Sequence, residues 1–292
     1  MTVKLLIGKA GIKLIFFAVI FFIALDVAAA LDKFSLVKDL SWLKQHYQNP
    51  SVLLIDSRNP DDYLQGHIPG AVNLPTEEII RSKQANSGAD SLNLLRKLIN
   101  SAGLHGDLKA VIYGSDLKST AYLLWLFQAY GHVDAVFIQE SFDSWVAAKM
   151  PVENGQTIKQ SAEFIPMPDK SRIATKFNTR VAALGAKRTI VDVRSQDQFY
   201  GREGNTGKKG HIPSAMNIPI DSFFLDNGQL KSLSSLKQLF YRLNKRIPVI
   251  VYSNYGRNSA LAYVVLSELG YKVSNYQGGW YDWSNDHTLP TE

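Results

Sequence analysis

The chain of 292 residues has 46% hydrophobic and 20% charged residues, a composition that excludes a peptide hormone, an intrinsically disordered chain and a polytopic membrane protein. This length favours two domains, each with its own core. The net charge is +6, of which +2 comes from three lysines and one aspartate in the first thirty residues, and the remaining +4 is too scattered to indicate nucleic-acid binding.

The first thirty residues have the layout of a secretory signal. Lysines at positions 4, 9 and 13 precede an unbroken apolar run of 12 residues, Leu14–Leu25, and Ala28-Ala29-Ala30 offers a cleavage site. The run suits a signal peptide but falls short of the roughly 20 residues that cross a bilayer as a helix. We therefore predict a signal peptide over residues 1–30 and an exported, periplasmic protein. The alternative is an uncleaved anchor that holds the folded part at the membrane, outside the cytoplasm.

The remainder of the chain contains two copies of one domain. Asp56-Ser57-Arg58 is followed by Gly66–Pro75, and Asp192-Val193-Arg194 is followed by Gly210–Pro219, so that G-H-I-P-x-A-x-N-x-P occurs twice. The aspartates lie 136 residues apart and the motif histidines 144, which assigns eight inserted residues to the second copy, within Tyr200–Lys209. Such internal repetition indicates a duplicated domain.

Short β-branched runs alternate with longer amphipathic stretches in both copies, as expected of parallel strands joined by helical crossovers. In the first copy the pattern predicts strands Val52–Asp56, Ala110–Tyr113 and Ala135–Ile138, and helices Leu36–His46, Ser91–Ala102 and Ser119–Tyr130. In the second copy it predicts strands Thr189–Val193 and Val249–Tyr252, and helices Leu233–Leu243 and Asn258–Leu269.

Residues 151–170 are predicted to connect the copies, because they include three prolines and little periodicity. The expected organisation is therefore a leader over residues 1–30, a first domain over 31–150, this linker, and a second domain over 171–292.

The repeated motifs, together with a late Gly278-Gly279-Trp280, resemble the rhodanese family of sulfurtransferases. The tandem arrangement is similar to that of thiosulfate and 3-mercaptopyruvate sulfurtransferases. This resemblance implies an α/β fold of two rhodanese-like domains, each a five-stranded parallel sheet flanked by helices. It also implies that the second domain carries the active-site loop and the first is non-catalytic.

In that family a cysteine opens the loop after the central strand. Successive backbone N–H groups and the following helix make such a loop an anion-binding nest that lowers the pKa of a thiol. The matching residues here are Ser253, Asn254, Tyr255, Gly256, Arg257, Asn258 and Ser259. The chain has no cysteine at all, which excludes disulfides, thiolate catalysis and persulfide chemistry. The first copy has Gly114 at the corresponding position and is a poorer candidate still.

Several other residues are candidates for an accessory role near this loop. Asp192 and Arg194 form the repeated D-x-R pair, which at a strand end more often fixes the loop beneath it than acts in catalysis. His211 recurs as His67 in the other copy, which favours a turn-holding role over that of a general base. Arg202 lies in the insertion and supplies positive charge. The resemblance leads one to expect basic residues at two further positions, which are occupied by Gln198 and Tyr255.

The leading functional prediction is an exported rhodanese-like homologue that is inactive in persulfide-based sulfur transfer. It would bind a small oxyanion such as thiosulfate or sulfate, through the loop amides and Arg257, or a protein partner. One alternative is a thiosulfate or 3-mercaptopyruvate sulfurtransferase with an atypical mechanism. A second is a serine hydrolase in which Asp282 and His287 assist Ser253, although the G-x-S-x-G elbow is missing. No cofactor, metal or nucleic acid is predicted, and contact with a membrane only through the leader.

Overall fold

The computed structural model describes residues 35–85, 88–185, 187–204 and 206–292, with side chains throughout except over 83–92. The leader predicted for residues 1–30 lies outside the described residues. Among the described helices, none combines the length and the apolar character needed to cross a membrane.

The first half forms a five-stranded parallel sheet in the order β1-β5-β4-β2-β3, with helices in the crossovers. Its strands are β1 (Val37–Lys38), β2 (Val52–Asp56), β3 (Val72–Asn73), β4 (Lys109–Tyr113) and β5 (Ala135–Ile138). Its helices are α1 (Leu40–His46), α2 (Pro60–Gln65), α3 (Thr76–Ala85), α4 (Gly88–Ser101), α5 (Leu117–Ala129) and α6 (Phe142–Ala147).

The second half repeats this architecture in a sheet of order β6-β10-β9-β7-β8, again parallel throughout. Its strands are β6 (Ile173–Ala174), β7 (Thr189–Asp192), β8 (Met216–Asn217), β9 (Val249–Tyr252) and β10 (Val273–Tyr276). Its helices are α7 (Lys176–Ala183), α8 (Gln196–Phe199), a 3-10 turn (Ile220–Phe223), α9 (Leu233–Leu239), α10 (Arg257–Glu268) and α11 (Gly279–Ser284).

The fold class predicted from the sequence is therefore confirmed, and the five predicted strands lie close to where the pattern placed them, whereas β1, β3, β6, β8 and β10 were not predicted. The helix predicted over Leu36–His46 was wrong at its start, because Val37 and Lys38 pair with Phe137 and Ile138 as an edge strand. The helix begins only at Leu40, where the Asp39 carboxylate accepts a hydrogen bond of 2.7 Å from the backbone N–H of Trp42.

The repeated tryptophans near the end of each half are core residues. Trp145 and Trp283 are both buried, and their indole N–H groups donate to the carbonyls of Pro151 and Pro290 at 2.8 and 2.9 Å. Trp280 is buried as well. These positions anchor the last helix of each half to its sheet.

The two halves meet along α5 and α10, which pack against each other. Two hydrogen bonds cross this contact: the Tyr263 hydroxyl and Arg172 Nη1 both donate to Gln128 Oε1, at 3.3 and 3.4 Å. Arg172 Nη1 also donates to the Tyr263 hydroxyl at 2.6 Å. Because α5 and α10 each begin just after the central strand of their own sheet, the two corresponding loops both lie near the contact between the halves.

Candidate functional site

The loop predicted as the site follows β9, the central strand of the second sheet. Ser253 stands directly after the strand and is only 2% exposed. Gly256 is the N-cap of α10 and has no side chain to bond the first-turn N–H groups. Since those N–H groups have no acceptor within the helix, the loop and the positive end of α10 together present hydrogen-bond donors.

Two glycines allow this loop to close tightly. Gly256 has φ +78° and lies so near Gln277 that a Cβ would come within 2.4 Å of the Gln277 Cα. Gly279 has φ +58°, and a Cβ there would lie 2.2 Å from the Ser253 carbonyl oxygen. The same carbonyl accepts a hydrogen bond of 2.8 Å from the Trp280 N–H. The Gly278-Gly279-Trp280 motif therefore acts by holding the loop against the start of α11.

The hydroxyl of Ser253 belongs to a buried chain of hydrogen bonds that the sequence analysis did not foresee. It lies 3.3 Å from the Ser259 hydroxyl, which donates to Asn275 Oδ1 at 2.7 Å. The Asn275 amide in turn donates to the Gly256 carbonyl at 2.9 Å. Because the Ser259 proton goes to Asn275, Ser259 accepts from Ser253. Asn275 is fully buried in β10, and a buried amide requires hydrogen-bond partners, which Ser259 and Gly256 supply.

Within the described part of the chain, the Ser253 hydroxyl contacts no histidine and no carboxylate, so no base there is positioned to activate it. The Asp282 carboxylate instead accepts from the Tyr276 hydroxyl at 2.6 Å and pairs with Lys176 at 2.8 Å, while His287 is exposed. The structure therefore does not assemble the Ser-Asp-His arrangement that a hydrolase needs.

The D-x-R pair has a structural role, because its two side chains bind each other and a backbone carbonyl. Arg194 donates to both carboxylate oxygens of Asp192, at 2.6 to 3.1 Å, and to the Gly210 carbonyl at 2.9 Å. Both side chains are almost fully buried, and the guanidinium lies 4.4 Å from the centre of the Trp280 ring. Arg58 and Asp56 make the same bonds in the first half. The charge of Arg194 is thereby neutralised rather than offered to a ligand.

The histidine of each motif holds a turn. His211 Nδ1 lies 3.0 Å from the Phe199 carbonyl, and its ring stacks on Phe199 at 3.7 Å. His67 has the corresponding contacts with Tyr63, at 3.0 and 4.1 Å. The same geometry in both halves supports the structural interpretation of these residues.

The cations expected around the loop have other partners. Arg202 pairs with Asp197 at 2.7 Å on the surface, and Lys208 Nζ donates to the carbonyls of Asp286 and Leu289. The nearest side-chain contact of Asn254 is to the neutral Gln198, at 3.3 Å. The electropositive character of the loop therefore comes from backbone N–H groups and the end of α10.

Arg257 points across to the first half of the molecule. Its guanidinium pairs with Glu77 at 2.7 Å and with Asp116 at 3.0 Å. Its Nε is buried and has no hydrogen-bond partner among the described residues. These acidic partners lie far away in sequence, so the local pattern around Arg257 gave no sign of them.

In the first half, a carboxylate of the chain itself caps the corresponding loop. The Asp116 carboxylate accepts hydrogen bonds from the backbone N–H groups of Lys118 and Ser119, at 2.8 and 3.1 Å. Burial acts to raise the pKa of Asp116, but the bonds from Ser119 and the charge of Arg257 hold it below its usual value. A carboxylate thus occupies the first-half loop, whereas Gly256 leaves the second-half loop open.

The pairing of Arg257 predicts a pH-dependent loss of stability when its charge is removed. Replacing Arg257 with Gln should lower the Tm by ~2–4 °C at pH 7, about 1 kcal/mol, since the ion pairs are half-exposed. A carboxylate with a depressed pKa stabilises the fold above its unfolded pKa, and this is lost as the pH falls. The difference in Tm should therefore shrink in acid.

The matched control for this measurement is Arg202→Gln, which breaks an exposed pair with Asp197. It should leave the Tm nearly unchanged at both pH values. An equal loss from the two substitutions, or a loss from Arg257→Gln that persists in acid, would contradict the assigned role of the contact.

A small cavity of about 60 Å³ borders the loop at Asn254 and Tyr255. It is lined by Arg194, Gln198, Gly204, Thr206, Asn254, Tyr255, Trp280 and Tyr281. At ~10–15 Å³ for each water-sized sphere, it has room for a few waters or one small oxyanion. Within the described ranges, no group of three or more histidine or acidic side chains is arranged to hold a metal ion.

Comparison with protein families agrees with the duplicated architecture. The family model for the rhodanese-like domain matches twice, over residues 39–148 and 175–286. The thiosulfate sulfurtransferase of Corynebacterium glutamicum is 30% identical over 273 residues, covering 86% of this chain and 88% of that protein.

Solved structures have the same fold. SseA from Escherichia coli, a 3-mercaptopyruvate sulfotransferase, superposes with a TM-score of 0.72 at 20% identity, covering 84% of this chain and 98% of SseA. Wild-type EanB superposes with a TM-score of 0.78 at 20% identity, covering 90% of this chain and 70% of EanB. At these identities the likeness shows the fold alone.

Proposed function

This chain belongs to the rhodanese family, and from that premise we propose that it has lost persulfide-based sulfur transfer and binds a small oxyanion, such as thiosulfate or sulfate, at the loop from Ser253 to Ser259. The observation that carries the proposal is the oxygen nucleophile at the end of β9, in a chain without cysteine. A hydroxyl is far less acidic than a thiol and forms no persulfide.

The surroundings of Ser253 support the loss of activity. Its proton is directed to Ser259, and no base contacts it among the described residues. This arrangement also disfavours an atypical sulfurtransferase mechanism at Ser253, because no neighbouring group is positioned to generate an alkoxide.

Retention of an oxyanion is supported by the open end of α10. Gly256 supplies no capping side chain, so its own side chain does not compete with a ligand for the first-turn N–H groups of α10. The small cavity that borders the loop at Asn254 and Tyr255 has room for one small anion. Because the nearby cations are paired with other groups, we expect an affinity on the order of 1 mM, supplied by neutral donors and the helix end.

A protein partner is the second candidate, supported by an apolar stripe on α7. Phe177 and Leu184 are 72% and 74% exposed, and Val181 between them is 41% exposed. Their spacing of four and three residues puts them on one side of the helix. The leader predicted at residues 1–30 supports export to the periplasm, or anchoring at the membrane if it is not removed.

The test combines binding with turnover. Titrating sulfate or thiosulfate into isotope-labelled protein should shift the NMR signals of the loop amides over residues 254–259 in a saturable manner. The amides of residues 114–119 are the internal control, because Asp116 already occupies that loop. Adding cyanide to the thiosulfate-bound protein should yield no thiocyanate.

Chloride at matched ionic strength separates specific binding from screening. Unshifted loop amides would overturn the oxyanion proposal and leave protein docking on α7 as the candidate. Steady formation of thiocyanate would overturn the proposed loss of activity and favour the atypical sulfurtransferase.

A further inference from the structure

A second, much larger cavity of about 810 Å³ lies between the two halves. Five tyrosines line it: Tyr122, Tyr130, Tyr255, Tyr276 and Tyr281. Its volume falls within the range of about 300–1,000 Å³ that is typical of small-molecule sites. Tyr255 and Tyr281 also line the small loop cavity, so the two spaces share one wall.

The tyrosines divide into a floor and a rim. Tyr122, Tyr130 and Tyr276 are buried, whereas Tyr255 and Tyr281 are 41% and 43% exposed. The two rim rings lie 5.2 Å apart between centroids. Since the faces of aromatic rings carry negative partial charge, such a cavity attracts both aromatic and cationic groups.

The polar part of the wall carries more negative than positive charge. Lys176 Nζ lies 2.8 Å from the Asp282 carboxylate and 3.6 Å from that of Asp286, so that one ammonium faces two carboxylates. The Thr288 hydroxyl and backbone N–H donate to Asp286 at 2.6 and 3.1 Å and hold its pKa below its usual value. Within the cavity lining, two carboxylates therefore face one ammonium, while Lys208 lies outside the lining and donates to the backbone carbonyl of Asp286.

We propose that this interdomain cavity binds a small organic cation with an aromatic body, of the arylalkylamine class. The ring would pack between the rim tyrosines and the apolar floor, and the ammonium would lie toward Asp286 and Asp282. The proposal does not depend on oxyanion binding at the loop, because it uses the charge of α11 and the turn after it rather than the amides of α10.

Both halves contribute to this cavity, so ligand binding should stabilise the contact between them. Ile80, Tyr122 and Tyr130 come from the first half, and the rim and charges come from the second. A bound amine would stabilise only the folded chain in which the two halves are in contact, and it should therefore raise the Tm of the full chain.

The test uses two probes that share an indole ring and differ in charge. Tryptamine and indole-3-acetate are titrated separately into the full chain at pH 8, and binding is followed by calorimetry and by the Tm. Tryptamine should bind at least about tenfold more tightly than indole-3-acetate, since the ammonium meets the tyrosine rings and two carboxylates of the lining, which would repel the acetate group. Tyr281→Ala should weaken tryptamine binding about tenfold, and its backbone N–H still bonds Asn254.

Asp286→Asn removes the carboxylate charge and keeps an oxygen acceptor for Thr288. It should therefore reduce the ratio of the tryptamine affinity to the indole-3-acetate affinity, while the protein still folds. Tyr241→Ala is the matched control, because Tyr241 is 74% exposed and lies outside the cavity lining. Equal affinity for the two probes, no tryptamine binding by the unaltered chain, or equal losses in Tyr281→Ala and Tyr241→Ala would overturn the proposal. The sulfate-induced amide shifts report separately on the loop.

Discussion

Replacing Ser253 with cysteine is expected to give a protein that takes up one sulfur atom from thiosulfate, while the unaltered chain takes up none. The new thiol would stand at the end of β9 beneath the open amides of α10, where a helix end lowers the pKa of a thiol. The thiolate would attack the outer sulfur of thiosulfate, breaking its S–S bond and releasing sulfite with the electron pair. Cyanide would then remove the terminal sulfur as thiocyanate and regenerate the thiolate.

The expected signal is a sulfur adduct by intact mass and thiocyanate formation at least ~10-fold above the unaltered chain, because only the thiolate is a competent nucleophile. Turnover should remain slow, since Gln198 and Tyr255 supply no cation for the substrate. Ser115→Cys is the matched control, with an exposed thiol beside the Asp116 carboxylate in the closed first-half loop. An adduct on the unaltered chain, or equal adducts on both variants, would contradict the assigned role of the open loop.

Replacing Gly256 with Ala is expected to lower the free energy of unfolding more than adding one methyl group at any other position of this loop. The substitution forces φ +78° on a residue with a side chain and brings its Cβ within 2.4 Å of the Gln277 backbone. The strained conformation costs about 1–2 kcal/mol and the overpacking about 1–3 kcal/mol. Together these should lower the Tm by roughly 5–15 °C, measured by circular dichroism.

The control is Gly228→Ala, where φ is +80° but no atom lies within 4 Å of the added Cβ. It should show only the conformational cost of about 1–2 kcal/mol. If the Tm falls by the same amount in both variants, the close approach to Gln277 does not constrain the loop. If Gly256→Ala folds stably, the sulfate-induced amide shifts should still be reduced, because the amides must move to admit the methyl group.

The fold could be predicted in large part because its signals are local and repeated. β-branched runs mark the longer strands, the D-x-R pair recurs where β2 and β7 end, and G-H-I-P recurs shortly before β3 and β8. The short edge strand Val37–Lys38 could not be predicted, because two residues carry no periodicity and pair only with β5.

The position of the loop could be predicted from the sequence, but the residues that contact its side chains could not. Ser253 and the glycines that hold its loop could be located from the motif, whereas Asn275 acts through a strand that lies beside β9 only in the folded sheet. Arg257 was expected to serve the loop, yet it pairs with Glu77 and Asp116 across the contact between the halves. The tyrosine cavity draws on both halves and has no signature within either.

The two loops of this duplicated chain constrain each other's evolution. Arg257 could serve a substrate only if Glu77 and Asp116 released it, and two abandoned carboxylates would then repel the incoming dianion. A single substitution at Ser253 therefore restores a nucleophile without restoring a substrate clamp. An efficient sulfurtransferase site at this loop would therefore need changes in both copies, at Ser253 in the second and at Glu77 and Asp116 in the first.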